Sequence, residues 1–265
     1  MQQNIIIPEL LEFDIFKPFS NLLHFVTTRF SPVDNGNDFN IGYSGDSIYK
    51  IIHNRLSLAK VLDLKPENFV FQNQVHGVNV TIVDKNNAGA GFYSKDDAIQ
   101  NNDILITNKP GLCLITRSAD CTPILMFSPD KNVIAAIHSG REGCKQKACI
   151  VAIQAMIENF GCDINNIKVA IGPAICSNCY QVDKPCADDY LTREYFSSDI
   201  VVELPNQKFS INMKKTIVSD LLHEGINVNN IEHCDLCTKH DEPLFFSARN
   251  GNNQRFCAGI MLKDI

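Results

Sequence analysis

Short apolar runs alternate with polar, turn-rich segments along this chain. Runs of that kind, bounded by turn residues, predict strands. They fall at Leu23 to Thr27, Phe69 to Phe71, Val78 to Val83, Ile104 to Thr107, Leu112 to Thr116, Ile124 to Phe127, Val133 to Ile137, Lys168 to Ile171, Ile231 to His233 and Phe245 to Phe246. Three longer stretches carry apolar residues near the helical spacing: Ser47 to Leu62, Glu142 to Phe160 and Asn212 to Glu224. Asp46 and Asn212 suit their N-caps, and Gly161 and Gly225 their C-terminal stops. Asn86 to Asn102, polar and Gly-rich, predicts a mobile loop. Helices and strands alternate irregularly, with several hairpins. The expected fold class is α/β, a single mixed α+β domain over residues 1–265 with hairpin-rich sheets and flanking helices.

One hairpin places chemistry. Thr122 to Ser128 and Val133 to Ile137 are apolar, and Pro129-Asp130-Lys131-Asn132 between them is turn chemistry. With the turn centred on Asp130 and Lys131, Cys121 and His138 fall opposite each other to within a residue or two. Directly opposed Cβ atoms lie roughly 4.5–5.5 Å apart, which suits two ligands of one metal. A third, His76, lies between Phe69-Val70-Phe71 and the run from Val78, in a loop held by strands. Taken singly, a loop histidine is most often a surface residue and a cysteine before a strand a small buried hydrophobe. The hairpin raises the Cys121–His138 pair above that; it does not by itself bring in His76. Three protein ligands would leave a fourth zinc position open for water or substrate. A fourth protein ligand would make the metal structural instead, with His53, His233 and His240 as candidates.

Composition narrows the class. The chain has 265 residues, 45% of them apolar, and a net charge of −6 with no basic tract. That argues against a protein whose task is to grip nucleic acid. No run approaches the roughly 18 apolar residues of a membrane span. Met1 to Glu9 lacks the basic and apolar regions of a secretion signal. Eleven cysteines without such a signal fit a reducing cytoplasm, with thiols buried or metal-bound.

The segments Thr27-Thr28-Arg29, Phe39-Asn40-Ile41-Gly42, Asn54-Arg55, Gln74-Val75-His76-Gly77, Ala119-Asp120-Cys121-Thr122-Pro123, His138-Ser139-Gly140, Ile171-Gly172-Pro173-Ala174-Ile175, Cys179-Tyr180, Asp235-Leu236-Cys237-Thr238 and Phe245-Phe246-Ser247 occur in this order. Together they resemble the YfiH family, over about residues 23 to 260. Members of that family have been called laccase-like polyphenol oxidases, purine nucleoside phosphorylases and peptidoglycan editing factors. The resemblance implies a zinc centre of His76, Cys121 and His138, with Asp120 beside it as an orienting or acid/base group. It implies small-molecule substrates: a purine nucleoside, and phosphate if the reaction is phosphorolysis. Zinc lowers the pKa of bound water to about 7, which would serve adenosine deamination or the hydrolysis of a cell-wall amide equally well. Phosphorolysis needs cations, and Arg29, Arg55, Arg117 and Arg249 are candidates beside Asn40. Cu(2+) is the alternative metal, since two His and one Cys also suit copper. Laccase chemistry uses several coppers, however, and few further histidines lie near these motifs.

Two departures bear on the reaction. The family's His-Ala-Gly-Trp-Arg-Gly reads His138-Ser139-Gly140-Arg141-Glu142-Gly143 here. A carboxylate thus replaces a cation, which puts phosphate handling in doubt and leaves the metal ligands intact. Ser247-Ala248-Arg249-Asn250 likewise stands where the family more often has Tyr and a second Arg. Finally, Cys176-x-x-Cys179 and Cys234-x-x-Cys237 have the spacing of zinc-binding pairs, but the gap between them far exceeds a zinc ribbon's roughly 15–20 residues. Buried thiols are the expectation there.

Overall fold

A computed structural model describes residues 10–33, 36, 38–191, 193–241 and 244–264. The Met1 to Glu9 segment, read above as no secretion signal, lies outside them. In chain order the elements are β1 (Leu10–Leu11), β2 (Leu22–Thr27), α1 (Ile48–Val61), β3 (Phe69–Phe71), β4 (Val80–Ile82), β5 (Ile104–Thr107), β6 (Cys113–Ser118), β7 (Thr122–Ser128) and β8 (Val133–Ser139). Then come α2 (Arg141–Lys145), α3 (Ala148–Phe160), β9 (Lys168–Ile171), β10 (Gln181–Asp183), α4 (Lys184–Asp188), β11 (Val201–Leu204), β12 (Lys208–Ile211), α5 (Met213–Glu224), β13 (Ile231–His233) and β14 (Phe256–Leu262).

The strands form three sheets, ordered β1-β2-β14-β6-β3, β13-β9-β7-β8-β5-β4 and β10-β12-β11. The first two pack face to face. Leu105, Leu125, Phe127, Ile134 and Ala136 from one meet Val26, Leu114, Ala258, Ile260 and Leu262 from the other. Alternate residues point the opposite way. Ile104, Ile124, Met126, Ala135 and Ile137 pack on Ala152, Ile153 and Met156 of α3 and Ile217 and Leu221 of α5. Phe25, Phe69, Phe71 and Ile115 pack on Leu58 and Ala59 of α1. The layers therefore run helix, sheet, sheet, helix. Because both faces of each large sheet are covered, its strands read as continuous apolar runs. The mixed α/β single domain expected from the sequence is what forms.

Several boundaries move for local reasons. Ser47, not Asp46, caps α1 by accepting the Lys50 amide; Asp46 accepts from Asn40 Nδ2 instead. The expected helix over Glu142 to Phe160 is two, because Lys147 takes a left-handed φ of 59° that no α-helix can continue through. Phe245 and Phe246 are buried but not in a strand. The strand between β2 and β6 is β14, which the apolar pattern had not singled out. Asn86 to Asn102 is not loose. Phe92 and Ala98 are buried, Ile99 bridges Gln72, and Arg55 holds the carbonyls of Gly91 and Phe92.

Candidate metal centre and cavity

The β7–β8 hairpin pairs Thr122 with Ser139 and Pro123 with His138. Cys121 would thus face Gly140, two residues past His138, which is within the register expected. His138 is two residues beyond Ala136, so its side chain shares the face that looks toward the first sheet. β7 begins at Thr122, and Asp120 and Cys121 lie in the bend before it, with φ of 97° at Asp120. Strand alternation therefore does not force Asp120 away from the site. Ser118 Oγ closes the bend by donating to the Cys121 carbonyl.

His76 arrives from the loop between β3 and β4 with φ of 63°. A side chain with no sequence signal holds it there. Asp103, wholly buried before β5, accepts the amides of Val75 (3.1 Å), His76 (3.1 Å) and Gly77 (2.8 Å). The same carboxylate lies 2.8 Å from His138 Nδ1, and its backbone carbonyl accepts the His138 amide. Asp103 thus ties both histidines together. Against a carboxylate Nδ1 is the protonated nitrogen, which leaves His138 Nε2 available to a metal and fixes the ring. Burial would raise the Asp103 carboxyl, but the His138 hydrogen bond and the Gly77 and Val75 amides outweigh it and hold it below the usual carboxylate range. Burial pulls the His138 imidazole below its usual value, against the Asp103 hydrogen bond, which raises it.

One ligand atom from each of His76, Cys121 and His138 lies within 4.8 Å of the other two. Among the described residues no fourth such side chain joins them. His53 is on α1, His233 pairs with Asp235, and His240 lies among other cysteines. Gly140 closes the floor. A Cβ there would come within 3.0 Å of Cys121 Sγ and 3.0 Å of His76 Cδ2, so only glycine leaves the three side chains this close. Burial, reinforced by Asp120, pushes the metal-free Cys121 thiol up to about 12. A metal must therefore displace its proton. One buried imidazole with an anchored second nitrogen, one exposed imidazole and one thiol fit zinc with an open position.

The triad lines a cavity of about 630 Å³, walled also by Tyr43, Lys95, Arg117, Asp120, Arg249 and Arg255. That is within the roughly 300–1,000 Å³ of small-molecule sites. Asp120 accepts from Thr238 Oγ1 (2.7 Å) and the Arg249 amide (2.8 Å). Arg117 stacks on Tyr43, and its buried Nε has no hydrogen-bond partner among the described residues. Burial lowers Arg117 to about 10, so it stays cationic near neutral pH.

The other expected residues do different work. Arg55 is fully buried and spends all five N–H groups on the carbonyls of Ile41, Gly42, Gly91 and Phe92. Buried Asn40 accepts the amides of Gly42 and Arg255 and donates to Ser44 and Asp46. Neither side chain lines the cavity; together they shape the loop that carries Tyr43. Arg29 sits over Phe246 and 3.9 Å from Asp38, likewise outside the lining. Lys95 and Arg255, which do line it, carried no motif. Arg141 and Glu142, the departures from the family pattern, pair with each other at 3.3 Å.

Residues 23–263 match the model of a family described as multi-copper polyphenol oxidoreductase laccase. A protein named adenosine deaminase RL5, from an unknown prokaryotic organism, is 27% identical over 262 residues, covering 96% of this chain and 99% of its own length. A purine nucleoside phosphorylase of Bacteroides thetaiotaomicron is 29% identical over 261 residues, 96% of each chain. The crystal structure of Bacillus licheniformis hypothetical protein YfiH superposes with a TM-score of 0.89 at 26% identity, covering 97% of this chain and 98% of that one.

Proposed function

This chain belongs to the multi-copper polyphenol oxidoreductase laccase family, the YfiH-like proteins, and from that premise we propose that it is a zinc-dependent enzyme acting on purine nucleosides, by phosphorolysis and, for adenosine, by deamination. The names of the relatives above support the substrate class. The observation that carries the reading is the three-ligand centre of His76, Cys121 and His138 on the wall of a cavity of nucleoside-binding size. When bound, zinc would supply Lewis acidity and an activated water.

The chain's own side chains divide the remaining work. Tyr43, whose ring is covered by the guanidinium groups of Arg117 and Arg55, adds an aromatic side chain to the cavity wall beside which a purine would lie. Arg117, Arg255, Arg249 and Lys95 give the cavity a cationic wall. This wall offsets the loss of the family's cation at Glu142. Asp120, held by Thr238 and the Arg249 amide, is oriented to take or give a proton beside Cys121.

Zinc-loaded protein should be incubated with adenosine, inosine and methylthioadenosine, with and without phosphate, beside a Cys121→Ala control. Base or ammonia should be released by the wild type and lost in the variant. No release from any of the three substrates overturns the proposal.

A further inference from the structure

We propose that Cys176, Cys179, Cys237 and His240 form a second, structural zinc site. Their ligand atoms all lie within 4.8 Å of one another. His240 Nδ1 is 3.5 Å from Cys176 Sγ and 3.3 Å from Cys179 Sγ. Zn–S of about 2.3 Å and Zn–N of about 2.0 Å, at a tetrahedral angle, place nitrogen and sulfur about 3.5 Å apart. The side chains therefore already stand close to the spacing that one zinc ion would impose.

The backbone explains why they meet. β9 and β13 are parallel neighbours, with Ile231 beside Val169 and His233 beside Ile171. Their C-terminal ends point the same way, so the loops that follow lie side by side. Ala174 bridges Cys237, and the Thr238 amide donates to the Ala174 carbonyl. Each loop contributes two ligands three residues apart, Cys176-x-x-Cys179 and Cys237-Thr238-Lys239-His240. The Cys176 amide donates to Cys237 Sγ at 3.3 Å, as amides do to a thiolate that carries charge. Asp241 supports the site from behind. One of its oxygens accepts the Cys237 amide, and the other lies 3.7 Å from His240 Nε2, the ring nitrogen left over once Nδ1 faces the sulfurs.

The fourth ligand is not the one the sequence spacing suggested. Cys234 lies apart, with its carbonyl accepting Lys214 Nζ at 2.6 Å, and His240 completes the set. Buried thiols also fail to describe the group. Cys113, Cys144, Cys149, Cys162 and Cys257 are buried as small apolar residues; in this group Cys237 is buried too, but Cys176 and Cys179 are half-buried and His240 is exposed. Three thiols and an imidazole with every position filled by protein match a closed zinc site. This centre also braces the cavity wall. Thr238, between two ligands, donates to Asp120, and Arg249 Nη1 reaches the Cys179 carbonyl at 3.4 Å.

The test counts zinc per chain by elemental analysis of the purified full chain. Wild type should hold two zinc ions, Cys121→Ala one, and Cys176→Ser/Cys179→Ser one. One ion in wild type that is lost in Cys121→Ala, or two ions retained in the double variant, overturns the proposal. Should the double variant not fold, the Cys121→Ala protein, whose second site is intact, is loaded with cobalt(II). An intense near-ultraviolet band from several thiolates on tetrahedral cobalt supports the site. Its absence, or a mass two hydrogens low from a Cys176–Cys179 disulfide, overturns it.

Discussion

Asp103→Asn tests whether one buried carboxylate builds the triad. Oδ1 of Asp103 takes the His76 amide and His138 Nδ1, and Oδ2 takes the amides of Val75 and Gly77. An asparagine that keeps its oxygen on His138 must turn an NH2 group toward the Val75 and Gly77 amides, donor against donor. An unsatisfied buried group costs about 1–3 kcal/mol. Val75 is exposed and Gly77 half-buried, so water can relieve these amides and the low end applies, about 2 kcal/mol for the pair. The two bonds that survive lose their charge assistance, about 1 kcal/mol more. Urea unfolding of the metal-free protein should thus show a loss of about 3 kcal/mol. Zinc affinity, read by competition with a chromophoric chelator, should fall about 10–100-fold, as for other partners of ligand histidines. A variant with the wild-type midpoint and affinity would refute the idea that Asp103 sets the geometry of His76 and His138.

Gly140→Ala should fold with near-normal stability, because its φ of −78° suits alanine, yet its Cβ meets Cys121 and His76 at 3.0 Å; zinc affinity should drop at least about tenfold while thermal unfolding of the metal-free protein is unchanged. Arg55→Ala strands five hydrogen bonds to buried carbonyls and should cost about 3–5 kcal/mol in urea unfolding, with Arg55→Lys rescuing only part. Arg249→Ala should raise KM for phosphate more than KM for nucleoside; the reverse order would move phosphate elsewhere in the cavity. Asp130 in the β7–β8 turn meets some burial that raises its carboxyl, but Ser128 Oγ and the Asp163 amide outweigh this and hold it below its usual value. Because folding depresses that pKa, its stabilisation is present above about pH 4 and lost as pH falls through the lower folded value. With Asp130 exposed, Asp130→Asn should cost under about 1 kcal/mol at pH 7, a difference that vanishes near pH 2 in pH-dependent unfolding.

What the sequence made legible was local. The β7–β8 turn fixed the register that brings Cys121 near His138, and fully covered strands such as β5 and β9 announced themselves as apolar runs with the right ends. What escaped was set by distant partners. β14 is as apolar as its neighbours but stands near the chain end, and only pairing with β2 and β6 makes it central. Asp103 is a single acidic residue before a strand, and nothing local shows that four donors will converge on it. Arg55 has the chemistry of a phosphate ligand and the surroundings of a core residue; burial, which spacing does not encode, decides between them. His240 replaces Cys234 beside Cys237 because a loop, not a strand, carries the ligands.

The route of the chain gives the triad a further property. His76 lies where the chain leaves β3 of one large sheet for β4 of the other, and Cys121 where it leaves β6 for β7; His138 belongs to the second sheet alone. The two sheets must already be stacked, with two crossings closed, before the three ligands can meet. A metal at this point cannot nucleate folding as it does in a small zinc finger. It would instead act as a latch fitted last, binding slowly or not at all to a partly folded chain. Its effect would fall on how fast that end of the sandwich opens, more than on how the protein first finds its shape.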